Sequence, residues 1–512
     1  MKSKSPRSTV DSPQLLYATL PTVDCRLWTI YLSIIGCVFL FTACDDYLEE
    51  NPDNRVELDN LEKAAQLLTN SYSESSYYFT EWMGDQVGYT QGTRKRQNEL
   101  RIYAWEEVNA EPTDQDTPEF FWSATYNAIA HANEVLEVVD QLPGEEPRRR
   151  AVRGEALLAR AYGHFMLVNL FAKHYDPQTA GVDLGIPYVT APETEFIQTY
   201  RRATVQQVYD RVEQDLLEGL ELVDGSFYRN SGKYHFTRPA ALAFASRFYL
   251  FKFDLENCIR YSTELLGNDP AFYVKDLADL LERRTNTDDY IRLRTSPNEE
   301  ANLLLVRQQT LIYNNIGFYP SRNYYQQLFS SNPFGGNDDL RRDPAFQLGG
   351  VGIDGGLLAA KFEPLFQRSS LTSDVGFPYT IFPAFRGEEV LLNRAESYAL
   401  RNQVEEAVAD LQVFTRRRYV GAPEISLGII QDYINSGRGA AEDVLRYILF
   451  LERPKEFIHE GLRWFDIKRY GFDVTHDYPD GSSITLSEND NRKALQIPEA
   501  AREIGNLRPN PR

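Results

Sequence analysis

Eighteen residues near the C-terminus, Glu452 to Arg469, leave this chain few ways to fold: Glu-Arg-Pro-Lys-Glu-Phe-Ile-His-Glu-Gly-Leu-Arg-Trp-Phe-Asp-Ile-Lys-Arg. Ahead of them Val444, Leu445, Ile448 and Leu449 recur at three- and four-residue steps, the pattern of a helix that buries one face. At about 100° per residue, Glu452 and Glu456 continue the same stripe. A carboxylate on a buried face is costly unless paired. Both glutamates are therefore expected to meet cations, with Arg463 or the Arg416-Arg417-Arg418 run as partners. Pro454 predicts a kink or a restart, because proline lacks the N–H and clashes with the preceding turn. Gly461 suits a left-handed helix ending, after which Trp464, Phe465 and Ile467 add bulk. The pattern predicts an internal ion-pair clasp between the last helices, not a catalytic carboxylate pair.

Helical patterning continues upstream. Asp59 to Leu68 opens a helix capped by Asp59 or Asn60. Residues 72–92 are rich in aromatics without periodicity. Two strong helices follow, Glu119 to Gln141 and Arg149 to Lys173, separated by the stop Leu142-Pro143-Gly144. Thr204 caps a helix through Val223, and residues 237–252 and 255–266 form another pair. Ser246, Tyr249 and Cys258 share their spacing with Ala395, Tyr398 and Ala407, each offset by 149 positions. Small residues that let two helices approach, with an aromatic filling the groove, are the packing logic of tetratricopeptide-like pairs. The chain reads as mainly α, with such pairs as its frame. Residues 268–385 differ: glycine pairs, prolines and aromatics suggest irregular loops with one short strand at Asn302 to Arg307, and such insertions usually carry recognition.

The common catalytic motifs are missing from the sequence. There is no GxSxG elbow, Walker loop or HExxH, and the six histidines show no metal spacing. No cofactor is expected. The formal net charge of −20 argues against a nucleic-acid partner, which needs a cationic face. The 31 tyrosines and 29 phenylalanines supply ring platforms on which a ligand's apolar face can rest. Among the aromatic residues, Tyr78, Trp82, Tyr319 and Tyr324 are the candidates for ligand contact, because their segments lack a helical face to bury them. At the N-terminus, Leu27 to Ala43 is an uncharged run preceded by basic residues, the layout of a secretory signal.

Several stretches resemble one family. The run beginning at Glu452 looks like the C-terminal signature of the SusD/RagB family of surface nutrient-binding lipoproteins, although Pro454 stands where the family usually carries a basic residue. Trp122, Tyr126, Ile129 and Asn133, then Gly154-Glu155-Ala156 with Arg160-Ala161-Tyr162, match its helix pair. Gly185-Ile186-Pro187, read as an exposed loop, the Arg386 helix start and the Ile497-Pro498 to Asn510-Pro511 ending also fit. The resemblance implies a signal peptide over 1–43 and a SusD-like domain over 44–512, with helical parts at 44–267 and 386–512 flanking the ligand-face region 268–385. Leu40 to Cys44 resembles a lipobox, which makes Cys44 the lipidated first residue of an outer-membrane, surface-exposed protein. The family's partner is a SusC-like TonB-dependent transporter, to which an oligosaccharide is delivered without catalysis. Peptide capture on the same scaffold and a surface glycosidase are the alternatives.

Overall fold

The computed structural model describes residues 58–512 apart from 193–198, 229–230, 315–316, 336–337, 343–346 and 352–355. The signal segment 1–43 and Cys44 therefore lie outside the described residues. The described chain is mainly α, as the patterning predicts. Helix α1 (Leu61–Leu68) starts at Asn60, whose side chain accepts from the Lys63 N–H. α2 (Gln97–Tyr103) precedes the long pair α3 (Pro118–Val138) and α4 (Glu146–Phe171). Thr117 caps α3, and Thr204 with Gln207 forms a reciprocal capping box on α5 (Val205–Leu222). α6 (Arg238–Phe251) and α7 (Leu255–Leu266) form one hairpin, with α11 (Gly387–Leu400) and α12 (Val404–Arg416) forming a second. α7 packs on α11, so the two repeat units stack. Ser246, Cys258, Ala395 and Ala407 are all fully buried at these contacts. Close approach also needs glycine between α4 and α5: a Cβ on Gly154 would sit 2.6 Å from Val223 N, and one on Gly219 2.7 Å from Leu158 Cγ.

The described part of residues 268–385 holds more regular elements than expected. They hold α8 (Leu277–Arg283), α9 (Thr287–Arg294) and α10 (Arg322–Ser330), each too short to announce a period. The expected strand is present and longer, as β1 (Asn302–Gln309). A hairpin joins β2 (Gln347–Val351) to β3 (Gly356–Ala359). β1 pairs antiparallel with β5 (Gly376–Arg386), which pairs in turn with β4 (Leu365–Arg368), giving the order β1-β5-β4. β5 was hidden by Pro378 and Pro383, residues that cannot donate to a ladder and argue against a central strand. The Gly185-Ile186-Pro187 loop corrects another expectation: it is buried, not exposed. Gly185 N–H donates to Ala203 O at 2.8 Å and Ala203 N–H to Ile186 O at 3.1 Å, so the loop pairs with the chain entering α5.

At the C-terminal end come α13 (Leu427–Ile434) and α14 (Ala440–Tyr447). α14 runs into one wide π turn, Ile448–Glu452, and restarts as α15 (Arg453–Glu456) with Pro454 in its first turn. The wide turn is how the helix absorbs the proline's missing N–H. Gly461 is left-handed at φ 71°, and α16 (Leu462–Tyr470) follows. Both stripe glutamates are buried and paired. Arg418 meets Glu456, its Nε 2.8 Å from Oε2. Arg463 meets neither glutamate; it forks onto Asp85 at 2.7 and 2.9 Å. Glu452 instead receives Arg341 at 2.8 Å and the Tyr419 and Tyr447 hydroxyls at 2.7 and 2.8 Å. The hairpin β6 (Val474–Asp477) and β7 (Ser483–Leu486), then α17 (Glu499–Glu503), complete the described chain.

Candidate functional site

Three of the four ring candidates belong to the core. Tyr78, Trp82 and Tyr319 are 4%, 1% and 1% exposed. Tyr78 and Trp82 meet edge-on within one 3₁₀ turn, centroids 5.6 Å apart, and the Tyr319 hydroxyl donates to Ile312 O at 3.0 Å. A ring with no free face cannot stack on a sugar, so this expectation is corrected. The physical reason is Gly317: at φ +90° the chain crosses directly over the indole, where a Cβ would lie 2.8 Å from Trp82 Cζ2. An irregular segment thus buried its rings under another irregular segment. Tyr324, on α10, stands apart from the three: it keeps a partly exposed side chain. Burial, and then the Asp85 carboxylate, raise its phenol above the usual range.

The large concave site lies elsewhere, between the N-terminal half of α3, the 187–191 strip and α17. This groove measures about 790 Å³. Its apolar lining includes Trp122, Tyr126 and Tyr200, and Ile504 stands at its rim, 64% exposed. Trp122 and Tyr126 lie one helical turn apart with centroids at 4.8 Å. Polar lining comes from Ser123, Asn127 and four acids, Glu111, Glu119, Glu499 and Glu503, with no lysine or arginine among the described lining residues. Neutral or cationic ligands suit such a surface and anions do not.

Buried hydrogen bonds fix the wall. Tyr126 Oη donates to Pro187 O at 2.8 Å, and Asn133 Nδ2 to Val189 O at 3.2 Å. His164 accepts the Val189 N–H at Nε2 (2.9 Å), which leaves its proton on Nδ1 facing Arg160 O at 2.9 Å. Burial lowers His164 to about 3, so the ring is neutral and this arrangement holds at ordinary pH. Arg160 grips Asp215 through two bonds of 2.7 and 2.9 Å. The motif residues of α3 and α4 therefore act as props for the groove wall.

Glu119 is the unusual group. It is 8% exposed, its Oε2 has no hydrogen-bond partner, and burial raises its pKa to about 8. It is thus mostly a neutral carboxylic acid at pH 7, able to donate one hydrogen bond and accept others. Sequence reasoning missed it, since a lone glutamate in the first turn of a helix reads as a dipole partner. Among the described residues no cluster of His, Cys, Asp or Glu could hold a metal ion. Among the same residues no helix is long and apolar enough to cross a membrane.

Comparison with known proteins adds the lineage. A family model described as "Starch-binding associating with outer membrane" matches residues 46–250, and a model of the SusD family matches residues 312–508. The chain is 20% identical over 490 residues to SusD-like protein P38 of Formosa agariphila, covering 86% of this chain and 91% of that one. A solved SusD superfamily protein from Bacteroides thetaiotaomicron superposes with a TM-score of 0.65 at 20% identity, covering 88% of this chain and all of that one. A laminarin-binding SusD-like protein superposes at 0.61 and 18% identity, covering 88% and 98%.

Proposed function

Because this chain belongs to the SusD/RagB family, we propose that it captures a neutral oligosaccharide in the groove beside α3, without turnover. The observation that carries this reading is the groove itself: about 790 Å³, ring-lined, acidic, with a buried unpartnered carboxyl at one wall. Sugar rings present apolar faces to Tyr126 and Tyr200, the partly exposed rings of the lining, with Trp122 buried behind Tyr126, while Asn127, Ser123 and the neutral Glu119 offer partners for hydroxyls. A carboxylic acid that both donates and accepts matches a hydroxyl, which does the same. Tyr324 serves as a secondary contact on a separate segment of chain.

The family points to outer-membrane association. We place the chain there as a surface lipoprotein attached through Cys44, delivering its ligand to a SusC-like TonB-dependent transporter. The acidic lining also suits a basic peptide, which keeps peptide capture as the second reading. A glycan array read beside a peptide pull-down separates the two. Retention of neutral glycans is expected; retention of basic peptides with a silent array overturns the glycan reading. Incubation with the glycans that bind should release no reducing ends, and turnover would contradict capture alone. Labelled fatty acid should enter the wild-type protein and not the Cys44→Ala variant.

A further inference from the structure

Among the described residues the C-terminal clasp is not electrically balanced. Its ion pairs connect seven cations, Lys275, Arg294, Arg341, Lys361, Arg386, Arg418 and Lys455, to five carboxylates, Asp339, Glu388, Glu452, Glu456 and Glu460. The neighbouring buried sets are balanced: Arg453 and Arg469 face Asp466 and Glu396, and Arg247 faces Glu389. Glu81 beside the clasp accepts the His459 and Gly461 N–H groups, and burial raises it to about 7, so it offsets at most part of one charge. Uncompensated charge in an apolar interior is strongly unfavourable.

The excess converges on one small chamber of about 20 Å³, where Arg294, Arg341, Lys361 and Lys455 come together with Glu456. Every described lining residue is less than a tenth exposed. Arg341 directs Nε and Nη2 to Asp339 and Glu452, but its Nη1 has no hydrogen-bond partner, and the nearest paired oxygen, Glu456 Oε2, is 3.6 Å away. Arg294 reaches its carboxylate, Glu460, only at 3.9 Å. The volume suits a single occupant of about water size. Water needs acceptors for its own protons, and the one carboxylate lining the chamber, Glu456, already accepts from Arg418 at both oxygens and has Arg341 and Arg386 within 3.6 and 3.7 Å, so donors outnumber acceptors there. We propose that this chamber binds one small anion, chloride in the cell's surroundings, held by Arg294, Arg341 and Lys361, while Lys455 at its wall already gives its three donors to Ser331 O, Tyr419 Oη and Asp339. Burial, then the surrounding arginines, hold Lys361 down to about 8 against the pull of Glu460; an anion in the chamber restores its charge.

Two measurements test this. Crystals of the protein grown in sodium bromide should show an anomalous peak within hydrogen-bonding reach of Arg341 Nη1; a chamber holding only water, with no anomalous signal, overturns the site. In melts at constant ionic strength, replacing gluconate, too large for the chamber, by chloride should raise Tm by roughly 2 °C per tenfold increase. The Lys361→Met variant should lose that dependence. A wild-type Tm indifferent to the exchange sinks the proposal, and the bromide map decides the matter if the variant does not fold.

Discussion

A carboxyl kept from water pays for its charge in stability, and Glu119 is the residue where this can be read. Its folded pKa of about 8 lies above its ordinary value of 4.5. Its contribution is therefore fully present below about pH 4.5 and is lost as pH rises through 8, at roughly 1.4 kcal/mol for each pH unit crossed between the two values. Glu119→Gln should raise Tm relative to wild type at pH 9 and leave it nearly unchanged at pH 4, measured by thermal melts; a parallel offset at both pH values would refute a protonated Glu119. Two ring substitutions divide core from ligand face. Trp82→Ala, at a fully buried site, should cost about 3–5 kcal/mol of stability in denaturant titrations. Tyr200→Ala, at a partly exposed groove position, should leave Tm within a degree or two while weakening glycan binding about tenfold. Loss of binding from Trp82→Ala with stability intact would reverse the assignment. The sequence could not sort these rings, since burial in irregular chain is decided by which distant segment lies across it. Gly317, 235 positions after Trp82, is such a distant segment.

Elements with a long period were legible in advance, and for a physical reason. α3, α5 and α7 each bury one face, while α4 and α6 are buried on all faces after their first turns; all five begin at capping or turn chemistry, so local sequence states both their type and their start. The 149-residue offset marked the two hairpins that stack through α7 and α11. The three-stranded sheet was not legible beyond β1, because β5 is specified by pairing with distant strands and carries two prolines. Proline at 454 did report a helix restart, but not the wide turn that accommodates it. The closeness of α4 and α5 gives a prediction at this scale. Gly154→Ala places a methyl 2.6 Å from Val223 N and 2.8 Å from Leu222 C, backbone that cannot swing away. The helices must separate, at a cost of about 1–3 kcal/mol. Because α4 carries His164 and Arg160, which brace the groove wall, glycan affinity should fall with it. Unchanged stability by chemical denaturation would show that the pair has slack.

Over the whole molecule, the clasp gathers chain from 275 to 460 into one buried ionic knot, with the Arg453–Asp466 set beside it. Cations hold the carboxyls of Glu456, Glu388, Asp339 and Asp466 below their ordinary values despite burial. Such groups contribute stability above the unfolded carboxyl pKa of about 4, and it is lost as pH falls through their folded values. The protein should therefore unfold cooperatively in acid, starting below about pH 4. Glu456→Gln, which leaves Arg418 with Glu388 at 3.3 Å as its one remaining carboxylate among the described residues, should cost about 3–5 kcal/mol. A stability curve flat to pH 2 would show the clasp to be ornamental. That the stretch from Glu452 is a clasp was readable from its phase; that Arg341, 111 positions earlier, completes it was not, because only the fold brings them together. The groove was likewise invisible, since its described walls come from residues 109–130, 187–191, Tyr200 and 498–507. The most direct test of capture there is the structure of the protein soaked with a neutral oligosaccharide selected by the array. Density for sugar rings against Tyr126 and Tyr200, with a hydroxyl at Glu119, is the predicted result; density seated only over Tyr324, with the groove empty, would contradict it.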